Sequence, residues 1–385
     1  MTEIELKHKE EYGHKPGVFY SCPGKITLSG EHTEYNDGVI ISSAINLYCQ
    51  VAISKRDDNS VRFYSVNYNE RKKTSISNIK NKREDRWSNY IKGVIMSIIQ
   101  TGTPLSGMNI TILSDIPEKI GLGSSTAMCL ATACCLKKLY NLDLSWLNLV
   151  ESTRFSESVF MGLYAGLDDA LTMFFNNKNS LFCFDAATLD YESLKLDSLI
   201  DRVVLLDPGV SNADVEMDYI DDRDGLYELA SKLSKGKNNH SLRNYRVEEI
   251  RSCIDIPERI KRKAIFIVEE IKRSLDIKQV VSNGNIDLLG RYLVRSHEGL
   301  RDLFESTCPE VDWLIKRGVE TDGVYGGKSS GEISSGIVVF IMEQNGIDNF
   351  STHIEDYDKI FGFKAKIMSI KLCNGMSKNY PEINS

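Results

Sequence analysis

Residues 19–27 and 39–54 are rich in β-branched and aromatic positions, and both stretches predict strands. The segment between them is polar and closes on Asn36-Asp37-Gly38, a turn signal. Residues 57–86 alternate apolar and polar positions before turning charged, which predicts strands followed by a solvated loop. Trp87, Tyr90, Ile91, Val94, Ile95 and Ile98 fall at helical spacing, whereas residues 108–113 alternate as a strand does. A Gly/Ser loop at residues 117–126 runs into an apolar stretch ending near residue 140, which predicts a helix. Residues 144–161 and 166–175 predict two more helices, and residues 180–184 and 202–206 two strands. Residues 218–272 interleave Lys/Arg with Asp/Glu at helical spacing, a pattern that predicts solvated helix faces without a function of their own. A Gly/Ser-rich segment at 322–336 then leads into a strand at 337–341. Neither an internal repeat nor a low-complexity tract interrupts this order, and the change of composition places a soft domain boundary near residue 190.

Composition narrows the picture. The 385 residues are 42% hydrophobic and 26% charged, ordinary values for a globular chain and too apolar for wholesale disorder. Lys plus Arg is 47 and Asp plus Glu is 54, so the net charge is 47 − 54 = −7. An acidic chain is poorly suited to sequence-independent nucleic-acid binding, which needs cations against phosphates. No apolar run reaches the ~18 residues of a membrane span, and residues 1–15 lack the apolar core of a signal peptide. A protein of the cytoplasm is therefore expected, without a nucleic-acid or membrane partner. The nine cysteines include no CxxC pair and no Cys/His set at zinc spacing, so packing or surface thiols are expected.

Three clusters carry candidate chemistry. In the loop at 117–126, Gly121 and Gly123 permit close backbone approach, and Ser124 and Ser125 stand at a helix entrance, where they can cap it. Free amides and the positive end of the helix dipole suit a phosphate there, although a plain strand-to-helix turn has the same spelling. Glu31, His32 and Glu34 put two carboxylates and an imidazole beside Gly30, a set able to accept hydrogen bonds from sugar hydroxyls, or equally an exposed polar turn. Asp169, preceded by Asp168, can orient or deprotonate a hydroxyl, or serve as a helix N-cap; Glu157 is a metal ligand or a surface glutamate.

Taken in order, these pieces resemble the galactokinases of the GHMP kinase superfamily. Residues 23–36, PGKITLSGEHTEYN, are similar to the signature PGRVNLIGEHTDYN, and residues 117–125 match the phosphate loop PxGxGLGSS in outline. The segments RWSNYIKGV at 86–94, SHEGL at 296–300 and GVYG at 323–326 resemble further stretches of that family. The resemblance implies an α+β protein of two domains, residues 1–190 and 191–385, with the active site in the cleft between them. It implies an ATP- and Mg²⁺-dependent sugar 1-kinase, a monomer or weak homodimer, with galactose as the first substrate to try. Asp169 falls on the aspartate of the CGIMDQ motif beside the anomeric hydroxyl, and Lys25 on the family's catalytic arginine. Glu31, His32, Glu34 and Tyr219 fall on sugar-contacting positions, and Trp87 on the adenine pocket. Gly121, Leu122, Gly123, Ser124 and Ser125 form the nucleotide loop, with Ser125 and Glu157 in the Mg²⁺ region.

Departures from the family pattern bear on function. Lys25 keeps the positive charge without the planar five-donor fork of arginine. Glu34 replaces an aspartate and reaches one methylene further. At residues 331–336 the family's GAGFGG becomes GEISSG, losing both interior glycines. Two other readings follow, a sugar- or nucleotide-binding sensor that has lost catalysis, and a kinase of the same superfamily for a different small alcohol.

Overall fold

The computed structural model describes residues 1–196, 202–210, 216–235, 241–331 and 336–384, with only the backbone of 216–221. Among the described residues two sheets carry the fold. The larger one holds β1 (Val18–Ser29), β2 (Val39–Lys55), β3 (Ser60–Ser65), β4 (Glu70–Ser75), β5 (Met108–Ser114), β6 (Ser180–Asp185) and β7 (Asp190–Lys195). Its order is β4-β3-β5-β2-β6-β7, with β1 antiparallel to β2 and β3 parallel to β5. The smaller sheet has the order β11-β8-β10-β9, from β8 (Val203–Asp207), β9 (Val324–Ser330), β10 (Ile337–Met342) and β11 (Lys366–Met368).

Helix α1 (Glu3–Tyr12) precedes β1 in a segment whose mixed charges gave no helix signal. It docks through two buried residues, Ile4 and His8, the latter with its two ring nitrogens 2.9 Å from the hydroxyls of Ser54 and Thr111. Helices α2 (Ser88–Gln100), α3 (Ser124–Tyr140), α4 (Trp146–Phe155) and α5 (Asp168–Phe175) fall where the apolar spacing puts them. The predicted helix at 144–161 is in fact α4 followed by a π-helical turn, Ser156–Phe160. The first sheet and these helices share one core. Cys129, Cys134 and Cys135 of α3 are fully buried in it, as small hydrophobes.

The second half adds α6 (Glu216–Leu233), α7 (Val247–Ser252), α8 (Glu258–Ser282) and α9 (Ile286–Gly299), then a π-helical turn at Leu300–Phe304. It ends with α10 (Pro309–Val319), α11 (Gln344–Phe361) and α12 (Met376–Asn379). A second core joins α6, α7 and α8 to Phe304, and a third joins the smaller sheet to α10 and α11. The final segment returns to the first sheet, where Leu372 bridges to Ile45 and Tyr20 donates to Glu382.

The charged stretch at 218–272 corrects its reading as solvated faces. Asp222, Lys263 and Glu270 are buried, because each meets opposite charge: Asp222 pairs with Arg259 and Lys263, and Glu270 with Arg273. Burial of a charge is tolerated only when it is paired and hydrogen-bonded.

Candidate active site

A cleft of about 1020 Å³ gathers almost every residue singled out from the sequence. Its walls include Lys25, Glu31, His32, Glu34, Trp87, Gly121, Leu122, Gly123, Ser124, Ser125, Glu157 and Asp169. The exception is Tyr219 on α6, whose side chain lies outside the described residues.

The centre of the cleft is an ion pair. β1 carries Lys25, whose Nζ lies 2.5 Å from Asp169 Oδ1 in the first turn of α5 and donates to Thr27 Oγ1 at 2.8 Å. The helix begins one residue earlier, so Asp169 is not its N-cap. Burial alone would push the Lys25 ammonium towards neutrality. Asp169, Asp168 and Glu31 outweigh it and hold the pKa above the ordinary lysine value. The lysine side chain is 8% exposed and that of Asp169 31%, so the carboxylate is the member of the pair that can meet a substrate.

On one side stands the glycine/serine loop. The backbone of β1 binds it directly, the Lys25 amide donating to Leu122 O at 3.1 Å. The serines do not cap α3. The N-cap position is Gly123, at φ 71° and without a side-chain cap, and both serines lie in the first turn. First-turn amides have no intrahelical acceptor and stand at the positive end of the dipole. Ser125 Oγ instead donates to Glu157 Oε1 at 2.6 Å, and Thr126 Oγ1 reaches both oxygens of that carboxylate at 3.1 Å. Glu157 stands on the π-helical turn, a local geometry that recurs at functional sites. Its burial, with the charge of Asp169, pushes the carboxyl up to about 7 against the pull of the Ser125 and Thr126 hydroxyls and Lys25. Gly331, at the start of the altered GEISSG motif at 331–336, abuts this loop. A Cβ on Gly121 would lie 2.7 Å from Gly331 Cα, so neither position admits a side chain. Residues 332–335 of that motif lie outside the described residues.

Beyond the loop is Trp87. Its Nε1 donates to Glu70 Oε2 at 2.7 Å, and its ring meets Phe63 edge-on at 6.4 Å. The Trp87, Lys72 and Arg86 contacts hold Glu70 down at about 2.

On the other side lies the loop after β1. Glu31 is buried and pairs with Lys328 of β9, which is itself fully buried. Burial pushes the Glu31 carboxyl up, Glu270 adds to that, and Lys328 opposes it. Among the described residues, Glu31 Oε2 has no hydrogen-bond partner within the protein. His32 stacks on Phe304 at 4.0 Å between centroids and 15° between planes. Burial, then the cations Arg223, Lys263 and Lys328, drive its pKa well below the ordinary value, which keeps the imidazole neutral. Glu34 packs against Gly166, where a Cβ would lie 2.7 Å from the Glu34 carboxyl carbon. Sequence reasoning missed Lys328, Phe304, Glu70 and Thr126. Only Thr126 had a local signal, as the next hydroxyl after two loop serines.

The chain is similar to known galactokinases and shares its fold with other GHMP kinases. Residues 6–55 match the galactokinase galactose-binding signature, and residues 89–177 the GHMP kinases N-terminal domain. A putative galactokinase of Treponema pallidum is 29% identical over 380 residues, covering 97% of this chain and 96% of its own length. The galactokinase of Thermotoga neapolitana is 29% identical over 358 residues, 93% of this chain and 99% of the relative. The crystal structure of Lactococcus lactis galactokinase complexed with galactose superposes with a TM-score of 0.90, at 25% identity, over 97% of this chain and 98% of that one. A mevalonate kinase of Methanococcus jannaschii, 17% identical over 93% of this chain and 98% of its own, shares the fold at a TM-score of 0.63. A galactose-binding signature and a GHMP kinase domain thus occur in one polypeptide that is similar from end to end to the galactokinases of the GHMP kinase superfamily.

Proposed function

We propose that the protein is an ATP-dependent sugar 1-kinase that transfers the γ-phosphoryl group to the anomeric hydroxyl of galactose. The observation that carries this reading is the Lys25–Asp169 pair, set between a helix-entrance loop on one side and the Glu31/His32/Glu34 cluster on the other. Phosphoryl transfer needs positioning and charge neutralisation more than covalent help. Asp169 orients the attacking hydroxyl and is placed to receive its proton, and Lys25 offsets negative charge at the transferred group. Glu31 Oε2 offers an acceptor to a sugar hydroxyl, Glu34 a second, and neutral His32 reads the same face. Amides of the loop and of the first turn of α3 grip the phosphates, and Trp87 flanks the base.

The donors beside the phosphate loop fit Mg²⁺. Hard oxygens suit that ion, and Ser125 Oγ and the Glu157 carboxylate supply two. A buried glutamate pushed up to about 7 is also a group whose ionised form a divalent cation would restore. When bound, the ion supplies charge neutralisation at the phosphate oxygens. We further propose two domains divided near residue 190, a reading supported by the end of the first sheet at Lys195 and the start of the second at Val203. We also propose a monomer or weak homodimer acting in the cytoplasm; the net charge of −7 argues against a nucleic-acid partner. No helix among the described residues is long and apolar enough to cross a membrane.

A coupled ADP-release assay over a panel of hexoses and pentoses tests the activity. Turnover with galactose above the sugar-free rate is expected. ATP turnover that no sugar stimulates defeats the reading, and calorimetric sugar binding without turnover would establish a sensor instead.

A further inference from the structure

The loop that carries Glu31, His32 and Glu34 is held by the second half of the chain, one residue at a time. Glu270 of α8 is fully buried. Its Oε1 accepts from the Gly30 amide and from Ser29 Oγ, each at 2.9 Å. Ser296 Oγ of α9 donates to the same carboxylate, at 2.9 Å to Oε1 and 2.7 Å to Oε2, and Arg273 pairs with Oε2. Lys328 of β9 takes Glu31, and Phe304 lies flat on His32. Gly30 sits at φ 97°, where a Cβ would lie 2.4 Å from Val39 O, so its amide can reach Glu270 only as glycine.

A core position would ordinarily take an aliphatic side chain, since burying a carboxylate is unfavourable unless its partners are well placed. Here burial is opposed by Arg273, Lys328, the Gly30 amide and Ser296, which together hold the carboxylate below its ordinary pKa. Two of those partners reach the sugar loop, directly through Gly30 or by way of Lys328 and Glu31. The network thus ends on the residues that face the cleft.

We propose that Glu270 is a positioning residue for sugar recognition: by fixing the Gly30 amide and the Ser29 hydroxyl it sets the direction in which Glu31, His32 and Glu34 present themselves to the substrate. This rests on the kinase reading above. Glu270 is not among the residues that line the cleft, and Ser296 acts through Glu270.

The test compares wild type with Glu270→Gln and Ser296→Ala. Loss of a charge-assisted hydrogen bond to the loop is expected to raise the KM for galactose roughly tenfold to a hundredfold in Glu270→Gln. In Ser296→Ala the rise is roughly threefold to tenfold. The KM for ATP stays within about twofold in both, a split that general loss of folded protein does not produce. Hydrogen exchange supplies a readout that needs no turnover: amides of residues 30–36 exchange faster in the variants, while those of α3 keep their wild-type rates. If Glu270→Gln does not fold, Ser296→Ala, which removes one hydroxyl and no charge, decides. Unchanged galactose KM and loop exchange in a folded variant overturn the inference, as does an equal rise of both KM values. If wild type binds and phosphorylates no sugar, the kinase reading fails on its own. Loop exchange then still decides between a held loop and an independent one.

Discussion

The two ends of the cleft are built by different means. The end proposed for phosphate is local: residues 117–126 run from β5 into α3, and the groups it offers are main-chain amides placed by the helix itself. The sugar end is assembled from afar. Gly30 is held by a residue 240 positions away and Glu31 by one 297 positions away. The contrast follows from the ligands. A phosphate is recognised by charge and by amides that any residue supplies, whereas a sugar is read through the directions of a few side chains. Side chains on a short loop keep a direction only when something outside the loop fixes them.

The largest effect falls where the two ends meet. Asp169→Asn is expected to lower kcat by roughly a thousandfold or more while galactose affinity stays within about tenfold, because the amide still donates and accepts hydrogen bonds but carries no charge and takes no proton. Single-turnover kinetics and calorimetry check it; a large loss of affinity would mean that Asp169 belongs to the sugar end instead. Lys25→Met is expected to cost roughly a hundredfold to a thousandfold in kcat, with both substrates still bound.

The phosphate end predicts a pH response of its own. With Glu157 pushed up to about 7, Mg²⁺ binding, measured with a nucleotide present, weakens roughly tenfold per unit as pH falls below 7, and Glu157→Gln abolishes the slope. Stability runs the other way. A carboxyl whose folded pKa exceeds its unfolded value binds more protons when folded. Its contribution is therefore complete below about 4.5 and is lost as pH rises through 7, by up to roughly 3 kcal/mol without the cation. Denaturant unfolding of wild type against Glu157→Gln, at pH 5 and pH 8, measures that difference. The smallest effect belongs to the sugar end. Glu34→Asp shortens one acceptor and is expected to change the ranking of sugars by roughly threefold to tenfold in kcat/KM with ATP kinetics unaltered. An unchanged ranking would show that Glu34 does not read the substrate.

The same contrast explains what was legible in the sequence. Ser124, Ser125 and Asp169 could be singled out because local spacing places them at helix starts; α2 follows from apolar periodicity and α3 from the apolar run after the Gly/Ser loop. Three features were not legible. The charge-rich stretch holding Glu270 has the spacing of a solvated helix, and nothing nearby announces that Arg273 and Ser296 will bury it. The π-helical turns at Ser156–Phe160 and Leu300–Phe304 have no sequence signature, yet one presents Glu157 and the other ends in Phe304. The serine pair reads as a helix cap until Glu157 is seen to take the Ser125 hydroxyl.

By itself the sequence determined the elements, the chemistry of the loops and the order of the motifs, because periodicity, turn residues and local hydrogen bonding act over a few positions. The tertiary structure alone decided which charges are buried and what holds the sugar loop. A buried ion is stable only beside its partner, and the partners of Glu31 and Gly30 become neighbours only when α8, α9 and β9 close over β1.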